Sequence, residues 1–285
     1  MAQPVSRHSI PQHALNDGTS VPAVGFGTYR LNGHEGVEAI ARAIDNGYRL
    51  IDSAFNYENE GAVGRAVRLA EAPRDQVRVT SKLPGRRHGH DAALRTIEES
   101  VYRTGLDHLD VYLIHWPNPG RERYVEAWQA LIEAQRQGLV TTIGVSNFLP
   151  EHLQRLIDET GVTPAINQIE LHPYFPQAEQ RAWHAEHGIL TEAWSPVGRG
   201  GDVINDPVVQ QVAEAHGRTP VEVILRWHTQ LGVVPLPKAA HADRQVQNLS
   251  IFDFELDADE VAAITGLGRA DGRINGQDPA VYEEF

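Results

Sequence analysis

The sequence predicts a (β/α)8 TIM barrel, and three observations carry that prediction. Short apolar runs of strand length alternate with segments of helical period from residue 23 to residue 264. The runs are mostly continuous rather than alternating, as expected of parallel strands buried on both faces. No composition break or linker divides the 285 residues, and barrels of ~250 residues routinely form as one domain. An open, doubly wound sheet is the other outcome of alternating strands and helices; eight strand–helix units in a chain of this length favour the closed form. Residues 1–285 are therefore expected to form a single domain.

The elements follow in order. Asp17-Gly18 is a turn signal, so an N-terminal β-hairpin is expected ahead of the barrel. Residues 23–27 are the first predicted strand, and Val37, Ile40, Ala41 and Ile44 then recur at helical spacing. A second strand, through Leu50 and Ile51, ends at Asp52 and is followed by a helix over 60–69. The third strand is 77–82, and Asp91 can cap a helix running to about Gly105. The run 109–114 is the fourth strand; Tyr124, Trp128, Leu131 and Ile132 mark a helix that stops at Gly138. Strand five is 140–145, followed by a helix on Leu149, Leu153, Leu156 and Ile157 that ends at Gly161. Strands six and seven are 165–169 and 189–193, with a helix over 177–187 between them. Helices over 207–216 and 220–230 precede strand eight at 233–236, and extra C-terminal helices lie near 243–249 and 257–264.

Composition narrows the function classes. Hydrophobic residues make up 41% of the chain, with 25 glycines besides, which suits a globular protein with a large core. Lys and Arg number 25 against 38 Asp and Glu, a formal net charge of −13. That balance argues against a general nucleic-acid or anionic-membrane binder but leaves room for a local basic pocket for one phosphate. The absence of Cys removes disulfides, thiolate nucleophiles, iron–sulfur clusters and Cys-based zinc sites. Residues 1–13 carry Arg7 and His8 but no apolar core of a signal peptide. The apolar runs are far shorter than the ~20 residues needed to span a bilayer. A cytoplasmic protein is expected.

A barrel places its chemistry at the C-terminal ends of the strands. Asp52, Lys82, His115, Ser146 with Asn147, Gln168, Trp194 with Ser195, and Lys238 fall there. Asp and Lys at strand ends also suit a structural salt bridge, and a lone buried His is commonly structural. Ionisable groups at three successive strand ends, costly in a mouth packed shut, read instead as a site. Familiar phosphate and nucleophile motifs are missing. Gly25-Phe26-Gly27 is followed by Arg30 where a dinucleotide fingerprint needs Gly, and Gly144-Val145-Ser146 lacks the second Gly of a nucleophile elbow. Gly198-Arg199-Gly200-Gly201, after the seventh strand, is where a barrel can bring backbone N–H groups to a pyrophosphate.

Several long motifs stand in one order: Gly47-Tyr48-Arg49-Leu50-Ile51-Asp52-Ser53-Ala54 with Tyr57 and Asn59-Glu60; Leu113-Ile114-His115-Trp116-Pro117; Ile143-Gly144-Val145-Ser146-Asn147-Phe148; Asn167-Gln168-Ile169-Glu170-Leu171-His172-Pro173; and Pro237-Lys238 with Asn248 and Ile251-Phe252-Asp253-Phe254. In these the chain resembles the aldo-keto reductases, most of all the bacterial branch that includes 2,5-diketo-D-gluconate reductases. The resemblance implies hydride transfer from NADPH to the carbonyl of small aldehydes, ketones or keto sugar acids, with NADP+ as the oxidised cofactor. It implies Tyr57 as proton donor, Lys82 as the ammonium that makes the phenol more acidic, Asp52 as the group that orients Lys82, and His115 as a hydrogen-bond donor to the carbonyl oxygen.

The same resemblance assigns the cofactor contacts. Ser146, Asn147 and Gln168 would hold the carboxamide, and Trp194, where many relatives have Tyr, would stack on the nicotinamide. Ser195, Val197, Gly198 and Gly200 belong to the pyrophosphate loop. Lys238 and Arg244 would bind the 2′-phosphate and Asn248 the adenine. Ala239 stands where the family usually has Ser, removing one hydroxyl donor, and Gln247 replaces a common acidic residue. Tyr29, Phe55, Trp116 and Asn56 would line the substrate pocket. Arg86 and Arg87 either attract an anionic keto acid or form a solvated loop, and the tail over 269–285 could close over the mouth. A monomer is implied. Two other readings compete: a non-enzymatic NADPH-binding sensor or subunit, and a metal-dependent barrel hydrolase suggested by His88-Gly89-His90, for which the strand ends lack a matching ligand set. No metal is expected.

Overall fold

The computed structural model describes residues 10–285. An antiparallel hairpin comes first, β1 (Gln12–Ala14) with β2 (Ser20–Pro22), turning through Asp17 and Gly18. Leu15 and Val21 pack with Leu50, Val111, Leu113, Ile166, Val234 and Leu236 from the strands beyond. Asn16 Nδ2 donates to the Pro164 carbonyl, just ahead of a strand, so the hairpin covers the N-terminal end of the sheet.

Eight parallel strands then follow as one sheet: β3 (Phe26–Gly27), β4 (Leu50–Asp52), β5 (Arg78–Leu83), β6 (Leu109–Ile114), β7 (Val140–Ser146), β8 (Ile166–Glu170), β9 (Leu190–Trp194) and β10 (Val234–Pro235), each beside the next in chain order. The N–H groups of Gly25 and Gly27 donate to the carbonyls of Pro235 and Pro237, joining the first strand to the last. Gly27 suits this close approach, because a Cβ there would stand 3.0 Å from the Leu236 carbonyl oxygen. The first and last strands are shorter than the expected 23–27 and 233–236. Pro235 and Pro237 have no N–H to extend a ladder, which limits pairing at the seam.

Helices cover the outside: α1 (Gly33–Asn46), α2 (Glu60–Leu69), α3 (His90–Thr104), α4 (Tyr124–Arg136), α5 (Pro150–Thr160), α6 (Ala178–Glu186), α7 (Pro207–His216), α8 (Pro220–Gln230), α9 (Ala242–Leu249) and α10 (Ala258–Thr265). Their starts are written locally. Thr219 and Glu222 form a capping box on α8, as Asp257 and Glu260 do on α10, and Asp206 accepts from Val208 N–H on α7. The helix expected to be capped by Asp91 begins two residues earlier, with Gly89 in the cap position and Asp91 in the first turn. Each helix buries one stripe, as Ala39, Ile40, Ala43 and Ile44 do on α1. Gly64 of α2 sits hard against the Thr104 carbonyl at the end of α3, an approach no side chain permits. No helix of the described residues is long and apolar enough to cross a membrane.

Candidate active site

Asp52 ends β4, Lys82 is the penultimate residue of β5, and His115 follows β6, so the three arrive at one mouth on neighbouring strands. Lys82 Nζ donates to Asp52 Oδ1 at 2.6 Å and to the Ser53 carbonyl at 2.7 Å. Tyr57 reaches the same place from a 3-10 turn, Phe55–Tyr57, that Glu58 ends in the left-handed region at φ 55°. Asn59 fixes this turn: it accepts from Ser53 Oγ and donates to the carbonyls of Thr28 and Leu31. Asn32 Nδ2 in turn donates to the Tyr57 carbonyl. The Tyr57 ring centroid lies 5.3 Å from Lys82 Nζ and 6.0 Å from the His115 ring.

The electrostatics of this group differ from expectation. Burial pushes the Tyr57 phenol well above its ordinary pKa, and the charges of Asp52 and Glu284 and the neighbouring Tyr29 push it further; Arg199 opposes them. The ammonium of Lys82 is expected to acidify the phenol, but it is paired at 2.6 Å with Asp52, whose own charge acts on the phenol in the opposite sense. Tyr57 is therefore held protonated.

A second buried carboxylate stands behind the group. Gln168 Nε2 donates both to Asp52 Oδ1 and to Glu192 Oε2, each at 2.9 Å. Glu192 lies mid-strand on β9 and burial, with the Asp52 charge, pushes its pKa up to about 7. Gln168 itself sits in the middle of β8 rather than at its end.

The remaining site residues take varied positions. Ser146 Oγ donates to the Gln168 carbonyl, and Asn147, at φ 64°, donates to the His115 carbonyl and accepts from the Trp194 indole at 2.7 Å. These contacts gather Ser146, Asn147, Gln168 and Trp194 beside His115. Ser195 bends sharply at φ 49° into the following loop. There the expectation fails in part: the N–H groups of Gly198 and Gly200 donate to the carbonyls of Ser195 and Val197 and close short turns instead of standing open. Lys238 and Arg244 are exposed, and Ala239 is buried. Asn248 is buried beside the Tyr48 hydroxyl. Gln245, which the sequence did not single out, ties α9 down by donating to the carbonyls of Ala39 and Ala239.

Of the expected substrate residues, Tyr29 is half exposed and packs against Tyr57 at 5.1 Å, and Trp116 is buried under Tyr282 at 4.5 Å. The Phe55 ring lies 3.9 Å from the Arg103 guanidinium and 5.7 Å from that of Arg86, beside Arg87, Ala92 and Thr96. The His88–His90 pair also separates: His88 is buried, whereas His90 Nε2 lies 3.2 Å from Glu133. No group of three or more metal-ligating side chains occurs among the described residues.

A parallel barrel with Asp, Lys, Tyr and His converging at its C-terminal mouth defines a class of oxidoreductase, and the sequence comparison agrees. Residues 23–202 and 205–269 match the Aldo/keto reductase family, and the chain belongs to it. It is 53% identical to the 2,5-diketo-D-gluconic acid reductase B of Corynebacterium sp. (strain SHS752001) over 97% of this chain and 99% of that protein. It is 43% identical to a methylglyoxal reductase of Escherichia coli (strain K12), over 93% of this chain and 95% of the other. Among solved structures, a mutant of Gox0644 in complex with NADPH superimposes with a TM-score of 0.92 at 41% identity, covering 97% of this chain and 100% of that one.

Proposed function

We propose that this chain reduces the carbonyl of small aldehydes, ketones or keto sugar acids to an alcohol with NADPH, and that Tyr57 donates the proton. The observation that carries the reading is the Tyr57 ring, set 5.3 Å from Lys82 Nζ and 6.0 Å from the His115 ring at the barrel mouth. The relatives support it: one is called a diketogluconic acid reductase, another a methylglyoxal reductase, and a 41% identical structure is titled as an NADPH complex.

The donor set suits the cofactor. Asn147 and Trp194, linked by their own hydrogen bond, stand beside His115 where a nicotinamide would lie. Ser146 and Gln168 complete that side. Lys238 and Arg244 offer two exposed cations for a dianionic 2′-phosphate. When bound, NADPH supplies the hydride.

The chain supplies the rest. His115 donates a hydrogen bond to the carbonyl oxygen, fixing its direction and stabilising the charge that gathers there. Tyr57 keeps its proton in the resting site and releases it only to a stronger base. An alkoxide is such a base, so the O–H bond of the phenol breaks as the new alcohol O–H forms. Lys82 then lies next to the phenolate, and Asp52 keeps the ammonium in place. Reprotonation of Tyr57 from solvent restores the site. We extend the reading to a monomer of the cytoplasm, on the strength of the family resemblance.

Replacing Tyr57 by Phe tests the assignment. Turnover of NADPH with an aldehyde should fall by about 10²–10⁴-fold, while quenching of protein fluorescence by NADPH persists. Wild-type turnover in that variant would place the acid elsewhere.

A further inference from the structure

The C-terminal tail ends inside the site. Glu284 is buried, and its carboxylate oxygen Oε1 lies 2.7 Å from His115 Nδ1 and accepts from Asn56 Nδ2 at 2.8 Å. Oε2 accepts from Gly85 N–H at 2.9 Å. The backbone is clamped as well: Asn118 Nδ2 donates to the Glu284 carbonyl and Asn118 Oδ1 accepts from its N–H. Gly85 has to be glycine here, because a Cβ would collide with the Asn118 side chain. On one side Tyr282 covers Trp116; on the other, Arg86 spends its guanidinium on Asn56 Oδ1 and the Phe285 carbonyl.

This corner is a built carboxylate site, made of a backbone N–H, a side-chain amide and an imidazole, and the chain fills it with its own carboxylate. Burial would raise the pKa of Glu284, but the charge and hydrogen bond of His115, with those from Gly85 and Asn56, bring it below the usual value, so it is ionised at neutral pH. Its charge is felt at the Tyr57 phenol.

We propose that Glu284 is a specificity-determining residue: seated on His115, Asn56 and Gly85 N–H, it takes the place of a substrate carboxylate and biases the enzyme toward neutral carbonyl compounds over keto acids. A neutral 2-oxoaldehyde needs only the His115 donor for its oxygen. A 2-keto acid has to bring a second negative charge next to Glu284 or displace it from three partners, and juxtaposed like charges in a dry site are costly. Arg86, the cation best placed to attract an acid, is already committed to the tail. The inference rests on the reductase reading above.

The test compares wild type with Glu284→Gln, which keeps size and hydrogen bonding but not charge, and with a chain shortened by residues 284–285. The ratio of kcat/KM for pyruvate to kcat/KM for methylglyoxal should rise about tenfold or more in both variants, as removal of a like-charge contact predicts. Calorimetric titration with pyruvate gives a readout without turnover, and binding should tighten by a similar factor. An unchanged ratio, or pyruvate binding no tighter in either variant, overturns the proposal. Wild-type protein that oxidises no NADPH when methylglyoxal or another carbonyl compound is supplied would instead sink the reductase reading, and the pyruvate titration would still decide the role of Glu284. Should Glu284→Gln fail to fold, the shortened chain carries both measurements.

Discussion

The ammonium of Lys82 lies 2.6 Å from Asp52 Oδ1, and the two side chains are 0% and 7% exposed. Two charges are thus removed from water together, and the Ser53 carbonyl accepts a further hydrogen bond from the ammonium. A buried pair of this kind adds little to stability as a pair, but either member left alone is expensive.

Asp52→Asn keeps an acceptor near Lys82 and removes the compensating charge. Urea unfolding should show a loss of about 3–5 kcal/mol, and turnover should fall with it because the ammonium beside Tyr57 is no longer held. A loss under ~1 kcal/mol, as for an exposed ion pair, would mean that the pair is hydrated in solution.

Glu192 predicts a pH dependence. Its pKa is raised to about 7 in the folded chain from 4.5. Between those values the native state holds a proton that the unfolded chain has released, so stability is highest below about pH 4.5 for this group and falls as pH rises through 7. The full contribution is on the order of 3 kcal/mol at 1.36 kcal/mol per pKa unit. Glu192→Gln should remove that part of the pH dependence, seen as urea midpoints declining less between pH 5 and pH 8. Parallel curves for the two proteins would contradict the shift.

Lys238 and Arg244 predict the cofactor preference. Each charge-assisted contact to a 2′-phosphate contributes about 1.5–3 kcal/mol, so Lys238→Ala or Arg244→Ala should raise KM for NADPH by roughly 10–150-fold with little change for NADH. Ala239→Ser restores a hydroxyl and should lower KM for NADPH by about 2–10-fold. Equal effects on both cofactors would place the two cations away from the phosphate.

Much of the architecture was legible because it is written in local patterns. The 109–114 strand and the 60–69 helix stand as their apolar periods foretold. The strands that shortened did so where proline removes donors at the seam, a pairing property that no single segment carries. In the site, Asp52, Lys82 and His115 were visible as ionisable residues at strand ends. Glu192 left a fainter trace, a charged residue within an otherwise apolar run, and read as part of a strand. Glu284 left none: its segment has no period, and its clamp joins residues 166 positions apart.

The hairpin β1–β2 has a consequence for turnover. Leu15 and Val21 pack against Leu50, Val111, Leu113 and Val234, so the hairpin covers the lower end of the barrel. Tyr57 lies at the opposite, upper opening, and Glu284 stands there beside His115. Carbonyl compound, alcohol product and the chain's own last residues thus share one doorway.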